Sequence, residues 1–281
     1  MQTAHFQAAK QAIKPGIVVD RVSFSLVFGA IALVGFFFLI FPTIVVLGTS
    51  FTASETLRFP PEGFSLHLYR DLLQASQMQS AALNSLIVAT ITTVLSVTLG
   101  VSGALAIGRS NALWARVLDS VFMSPLFLPA IAFGFAALML FSLLQVQLSL
   151  FTLLVGHTVV CVPFVIRTTV AALSQMNPAL LESSQSLGAG KLYTFRRITL
   201  PLIKPGIISG AFLAFMASFD NVPVSLFLTN PRTEVLPIYL WQIINSQLDA
   251  RAAAAAAFLI FFTVILLVVM ERVAGVTRYM R

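Results

Sequence analysis

The sequence predicts an all-α polytopic membrane protein with six transmembrane helices, and three observations carry that prediction. Hydrophobic residues make up 58% of the 281-residue chain and charged residues 10%, with a mean hydropathy of +0.94. Soluble domains carry about 25% charged residues, so this composition is that of a membrane protein. The apolar residues form long stretches, and about 20 such residues span a bilayer as a helix. Lysine and arginine are concentrated in alternate connections between these stretches.

Six stretches of the chain are long and apolar enough to be spans. They cover residues 24–49, 83–108, 117–144, 148–166, 206–228 and 252–270. The first stretch is too long for the apolar core of a signal peptide, and no small-residue cleavage site is evident. The polar loop 50–81 is expected to carry a short helix near residues 67–75. Prolines within the third and fourth stretches are expected to bend those helices.

The distribution of basic residues sets the predicted orientation. Thirteen Lys and Arg residues lie in one set of segments: 1–23, 109–116, 167–204 and 271–281. The alternate connections hold four, which five acidic residues offset. Because positive residues are enriched on the cytoplasmic side, both termini are predicted to be cytoplasmic. The predicted divisions are a cytoplasmic segment 1–23, a transmembrane domain 24–276 with a cytoplasmic loop at 177–205, and a cytoplasmic tail 277–281.

Residues 177–205 form the longest polar interruption in the second half of the chain and are predicted to fold as a compact helical hook. Asn177 is suited to cap its first helix, and Gly188 offers a place for that helix to end. Pro201 and Pro205 are expected to end a second short segment and to begin the next span. An amphipathic double turn between two spans is typical of a docking element at a membrane face.

The sequence also excludes several classes of function. It has no Gly-rich phosphate loop followed by Lys and Ser or Thr, so no nucleotide site is predicted. No cluster of His, Glu or Cys has metal-binding or catalytic spacing, so the chain is expected to be neither an enzyme nor a cofactor carrier. The net charge of +7 is scattered beside the spans, which argues against nucleic acid as a partner. Uphill transport by this chain would therefore need a partner that supplies energy.

A motif within the hook resembles that of a known family. A Glu-Ser-Ser triplet that starts at Glu182 is followed by three residues, Gly188, nine residues and then Ile-Thr-Leu-Pro from Ile198. This pattern resembles the EAA loop of the permeases of ATP-binding-cassette (ABC) importers, in which the triplet is Glu-Ala-Ala. The departure is two serines where the family has alanines. The resemblance assigns coupling to the ATPase to eight residues: Glu182, Ser183, Ser184, Leu187, Gly188, Ile198, Leu200 and Pro201.

The resemblance extends from Asn84 to Glu271 and is strongest to the spermidine/putrescine (PotC-like) branch of the MetI-like permeases. It implies a multi-pass permease subunit of the bacterial inner membrane that takes up a polyamine or a similar small cation. It also implies three protein partners: a second permease in a heterodimer, a cytoplasmic ABC ATPase dimer, and a periplasmic or extracellular solute-binding protein. Uptake of 2-aminoethylphosphonate, an amino-acid derivative or ferric iron stays open within this class. A secondary transporter or channel, which would carry more intramembrane charge or two related halves, is the alternative from another class.

One acidic residue, Asp220, stands well inside the predicted fifth span, about 22 Å along the helix from Pro205. An ionisable group within a membrane is functional by default, and aromatic rings attract a cationic solute. The hypothetical substrate path comprises four residues: Phe219, Asp220, Asn221 and Trp241. The alternative role for Asp220 is a structural hydrogen bond or an ion pair at a subunit seam.

Two further polar residues in the spans are assigned structural roles. Asp119 is expected to pair with Arg116 or to meet water near the cytoplasmic end of the third span. His157 is expected to form a hydrogen bond between helices.

Overall fold

A computed structural model describes residues 15–108, 110, 112–246 and 250–274, and these residues are almost entirely helical. Most of the predicted cytoplasmic segment 1–23 and the whole of the tail 277–281 lie outside the described residues. The described part contains, in chain order, α1 (Pro15–Thr49), α2 (His67–Gln74), α3 (Ser76–Ile107), α4 (Leu113–Phe127), α5 (Ala130–Leu143), α6 (Leu150–Ser174), α7 (Ala179–Ser186), α8 (Lys191–Thr194), a π-helical turn (Phe195–Thr199), α9 (Leu200–Phe219), α10 (Val222–Leu228), α11 (Leu236–Ser246) and α12 (Ala250–Ala274).

The prediction of an all-α protein with six spans is confirmed, but the third span is broken. Five helices of the described residues are long and apolar enough to cross a bilayer, and α4 and α5 make a sixth span as a pair bent by 105°. Leu128 at the break is extended, with φ −81° and ψ 141°. A residue before proline avoids the helical region, and Pro129 follows it. The expected bend over residues 117–144 is therefore a complete interruption of the helix.

The fifth span differs from its predicted bounds of 206–228 at both ends. Helix continues from Lys191 through the π-helical turn into α9, which ends at Phe219. Pro201 and Pro205 lie inside this continuous segment instead of interrupting it. Proline lacks an N–H and crowds the preceding turn. The wider π-helical turn, in which the Leu200 N–H donates to the Phe195 carbonyl, lies directly before the first of these prolines.

Helices α3, α6 and α9 form the core of the molecule, and glycines let them approach closely. A Cβ atom on Gly100 of α3 would lie 2.7 Å from the Cβ of Val165 on α6. A Cβ on Gly206 of α9 would lie 2.6 Å from the Thr168 carbonyl oxygen, also on α6. Small residues at such contacts allow helix backbones to pack tightly in a membrane. This three-helix core is the frame that positions the candidate sites.

The two ends of the bundle are held by separate apolar clusters. At one end, Ile107 and Leu173 pack with Ile203, next to two of the connections that are rich in basic residues. At the other end, the predicted short helix is present as α2 and packs against α11 and α12. There the Ser85 hydroxyl accepts a hydrogen bond of 2.8 Å from the Leu236 N–H. The connections that contain Arg116 and Arg197 thus share one end, as the predicted orientation requires.

Candidate functional site

The hook (residues 177–205) begins as the sequence predicts. The Ala179 N–H donates to Oδ1 of Asn177 over 3.0 Å, which caps α7. After α7 the Gly188 N–H donates to the Gln185 carbonyl and the Ala189 N–H to the Ser184 carbonyl. These two bonds are those of a Schellman turn, which needs a residue with positive φ. Gly188 has φ +80° and meets that requirement.

A buried hydrogen bond joins the two arms of the hook. The hydroxyls of Ser184 on α7 and Thr194 on α8 lie 2.8 Å apart, and both side chains are buried. Ser184 is one of the two residues that depart from the alanines of the EAA pattern. Its hydroxyl therefore has a role inside the hook, because it links the two arms.

An open groove of about 810 Å³ runs between the arms. Among the predicted coupling residues, Ser183, Ser184, Leu187, Gly188 and Ile198 line this groove. Leu187 stands at the tip of the hook with 88% of its surface exposed, and Tyr193 and Arg197 line the groove as well. Sequence reasoning assigns Arg197 to the docking contact but does not identify Tyr193. Glu182 is exposed on α7, and Leu200 and Pro201 are exposed at the start of α9.

The predicted substrate-path residues lie at a second interruption of the helical core. Asp220 and Asn221 separate α9 from α10, so Asp220 ends a helix instead of lying within one. Asn221 is largely buried, and its Oδ1 accepts a hydrogen bond of 2.9 Å from the Val224 N–H, which caps α10. Phe219 is buried and stacks on Phe262 of α12 with ring centroids 5.0 Å apart.

Asp220 opens onto a cavity of about 500 Å³ between α1, α9 and α12. The cavity wall includes Phe219, Thr43 of α1 and Thr263 of α12, and Asp220 is the one charged residue among the described residues that line it. Asn221 and Trp241 are not part of this wall. The structure therefore brings together two of the four predicted path residues, while Asn221 caps a helix and Trp241 lies on α11.

His157 links both sides of this second interruption. It is fully buried on α6; its Nδ1 lies 2.9 Å from the Ser218 hydroxyl on α9 and its Nε2 lies 3.0 Å from the Ser225 hydroxyl on α10. The predicted interhelical hydrogen bond is confirmed. Sequence reasoning did not identify Ser218 and Ser225 as the partners of His157. The feature of the sequence that could have indicated them is their seven-residue spacing, with one serine on each side of the interruption.

Asp119 has a different partner from the one predicted. Its carboxylate lies 3.6 Å from the Arg167 guanidinium, so the expected pair with Arg116 is wrong. Arg116 lies on the same helix as Asp119, whereas Asp119 is directed to α6, against which α4 packs. The pair joins the broken third span to the core at the basic end of the bundle.

A bundle of apolar spans with two interruptions, together with an exposed helical hook at its basic end, defines the transmembrane permease of an ABC importer. The chain belongs to the family of binding-protein-dependent transport system inner membrane components, whose model matches residues 96–277. It is therefore a multi-pass protein of the inner membrane and a transport subunit.

Known relatives and structures agree with this family. The chain is 30% identical over 207 residues to the spermidine/putrescine transport system permease protein PotC of Escherichia coli K12, covering 74% of this chain and 78% of PotC. It is 33% identical over 181 residues to a probable molybdenum ABC transporter permease protein of Haloferax volcanii, covering 61% and 66%. Its fold matches a bacterial ABC transporter involved in the import of alginate with a TM-score of 0.71 at 17% identity, over 90% of this chain and 97% of that one.

Proposed function

We propose that a cytoplasmic ATPase dimer drives this permease by pressing on the hook. The observation that carries the proposal is the form of the hook: two arms joined at a Schellman turn, with an open groove between them and an exposed apolar tip at Leu187. Exposed apolar side chains that are grouped within a polar rim are typical of a protein-contact surface, and Leu180, Leu187 and Tyr193 are grouped in this way along the groove. The ATPase would touch Glu182, Ser183, Leu187, Gly188, Ile198, Leu200 and Pro201. Ser184 would act from within by holding the arms together.

The permease would pair with a second, different permease subunit. Helix α1 exposes apolar side chains along most of its length and packs mainly against α12. Lipid covers such a surface in part, and a partner subunit would cover the remainder. A solute-binding protein would deliver solute to the opposite end of the bundle, where α2 and α11 lie. Closure of the ATPase dimer would then favour one of two arrangements of the spans, because a ligand shifts such an equilibrium only by binding one state better.

The solute is proposed to be a polyamine or another small organic cation. Asp220 places one carboxylate in a mostly apolar cavity next to the ring of Phe219. A carboxylate pairs with an ammonium group through charge-assisted hydrogen bonds. PotC is named for spermidine and putrescine, which are cations of this kind.

Molybdenum is the second candidate cargo, and the Haloferax relative is the observation that favours it. An oxyanion such as molybdate would be repelled by Asp220, because like charges in a medium of low dielectric constant interact strongly. The charge in the cavity therefore favours the cationic solute.

Uptake by the complete transporter tests both parts of the proposal. The permease would be purified with its ATPase, second permease and binding protein and reconstituted into liposomes. We expect ATP-dependent accumulation of radiolabelled putrescine or spermidine and none of molybdate. Asp220→Asn should lower the rate of polyamine uptake about tenfold or more, which is the loss of one charge-assisted interaction.

The control for this variant is Asp119→Asn, which makes the same chemical change at the basic end of the bundle, where Asp119 faces Arg167 and does not line the cavity. Normal uptake by Asp119→Asn, with equal amounts of both variants in the membrane, would assign the defect to the cavity. Normal polyamine uptake by Asp220→Asn would disprove the assignment of Asp220 to the solute path. Accumulation of molybdate in place of polyamine would overturn the proposed cargo.

A further inference from the structure

The three residues His157, Ser218 and Ser225 form a unit that we call the clasp. On an unbroken helix, two serines seven residues apart would be about 10.5 Å apart along the axis. One imidazole ring could not then make hydrogen bonds of 2.9 and 3.0 Å to both hydroxyls. The interruption at Asp220 and Asn221 brings the two serines within reach of one ring. The clasp therefore exists only while α9 and α10 keep their present angle.

The two hydrogen bonds of the clasp join His157 to different parts of the molecule. Ser218 lies on α9, which is packed against α6 where Gly206 and Gly210 admit close contact. That bond stays within the three-helix core. Ser225 lies on α10, which packs closely against α5. A Cβ atom on Gly134 of α5 would lie 2.7 Å from the Pro223 carbonyl oxygen. The rings of Phe135 and Phe227 also meet, with centroids 5.8 Å apart.

Helices α5 and α10 together form what we call the outer pair. Each of them follows an interruption, α5 after residues 128–129 and α10 after residues 220–221. Between the outer pair and α6 lie the Nε2 bond of His157 and the packing of Leu228 and Val224 over Gly156. A movement of the outer pair would stretch the bond to Ser225 and leave the bond to Ser218 intact.

We propose that His157 is a positioning residue: through Ser225 it holds the outer pair against the core and so sets the place of the interruption that carries Asp220. The inference rests on the proposed function, because it assigns the clasp a part in solute transfer. A neutral imidazole supplies one donor and one acceptor, and each serine hydroxyl can do either. The clasp thus satisfies all its polar atoms in a buried setting, and loss of one partner leaves a buried group unpaired.

Two substitutions of His157 separate its two bonds. The amide of asparagine occupies roughly the place of Nδ1, and that of glutamine roughly the place of Nε2. His157→Asn should therefore keep the bond to Ser218 and lose the bond to Ser225, whereas His157→Gln should do the reverse. Ser225→Ala removes the second bond directly. Ser96→Ala is the matched control, because Ser96 is equally buried on α3 and its hydroxyl makes no hydrogen bond within the described residues.

The experiment measures two quantities on the complete transporter in nanodiscs. The first is amide hydrogen exchange over residues 222–228, which we expect to be about tenfold faster in Ser225→Ala and His157→Asn than in the wild type. The second is the amount of solute moved per ATP hydrolysed, which should fall several-fold in these two variants. His157→Gln and Ser96→Ala should retain wild-type values of both. A merely structural role would lower the amount of folded protein without changing the ratio of solute to ATP.

The outcomes distinguish the clasp from the proposed function. Exchange needs no solute, so it judges the clasp even if the wild-type transporter moves no polyamine, a result that would refute only the proposed cargo. Equal exchange in Ser225→Ala and Ser96→Ala would overturn the clasp. When the wild type transports solute, equal ratios of solute to ATP in His157→Asn and His157→Gln would overturn it as well. If His157→Asn fails to fold, Ser225→Ala and its control still decide the question.

Discussion

The hook and the clasp lie at different depths of the protein and are built in opposite ways. The arms of the hook are tied by Ser184 and Thr194, which are ten residues apart in sequence. The clasp ties His157 to serines that are 61 and 68 residues away. The hook is largely exposed, whereas all three residues of the clasp are buried. A short local segment thus forms the proposed contact surface, and distant parts of the chain meet at the interruption next to the proposed solute path.

This contrast separates two physical requirements. A docking element must keep its shape while standing away from the bundle, so its stability has to come from local caps and turns. A mobile interruption must be held by few bonds, since each bond adds to the cost of moving it. Both are expected of a protein in which force enters at one end and solute is handled at the other.

The largest expected effect is that of reversing the charge on the hook. Glu182→Lys should abolish ATP-driven uptake, a loss of at least about 100-fold, because a cation would replace an anion at a protein interface. Its amount in the membrane should not change, since Glu182 is exposed. Uptake and ATP hydrolysis by reconstituted transporter measure the effect. Gln175→Lys, which adds a cation at an exposed position just before the hook, should transport normally; undiminished uptake by Glu182→Lys would refute docking at the hook.

Gly156 beside the clasp and Gly188 in the hook extend the comparison of these two regions. Gly156 is required for close packing, and Gly188 is required for its backbone conformation. A Cβ on Gly156 would clash with Leu228 and lie 3.1 Å from Val224, whereas a Cβ on Gly188 would meet nothing within 4 Å. Gly156→Ala should therefore cost about 1–3 kcal/mol through overpacking. Gly188→Ala should cost about 1–2 kcal/mol through its positive φ alone. Thermal unfolding of the two variants in detergent measures the difference.

Second substitutions distinguish these two causes. Asparagine tolerates positive φ better than alanine does, so Gly188→Asn should be closer to the wild type than Gly188→Ala. In a Leu228→Ala background, which makes room for the new methyl group, Gly156→Ala should cost less than it does in the wild type. A Gly188→Asn variant as unstable as Gly188→Ala would show that the Schellman turn does not hold the hook.

The same contrast explains which features the sequence predicts. Asn177 and Gly188 act on their immediate neighbours, so their roles follow from residue type and order. Asp119 and His157 act across helices, and their partners depend on which faces meet. Periodicity does not supply that information, which is why the partner of Asp119 was assigned to its own helix. The two interruptions of the spans are only partly predictable from the sequence. Pro129 indicates the first interruption. Asn221 and Pro223 do not indicate the second, because they lie in an otherwise apolar stretch, and only the structure shows that α10 begins there.

The smallest expected effect concerns the departure from the EAA pattern. Ser184→Ala restores the alanine of the family but leaves the buried hydroxyl of Thr194 without its partner, which should cost about 1 kcal/mol. Thr194→Val alone should cost a similar amount, because it orphans Ser184. The double variant should cost less than the sum of the two, since both polar groups are then absent. Amide exchange over residues 179–194 measures these differences locally, and additive effects would mean that the two hydroxyls do not stabilise each other. If the double variant still transports, Ser184 stabilises the fold of the hook and is not needed for contact with the ATPase.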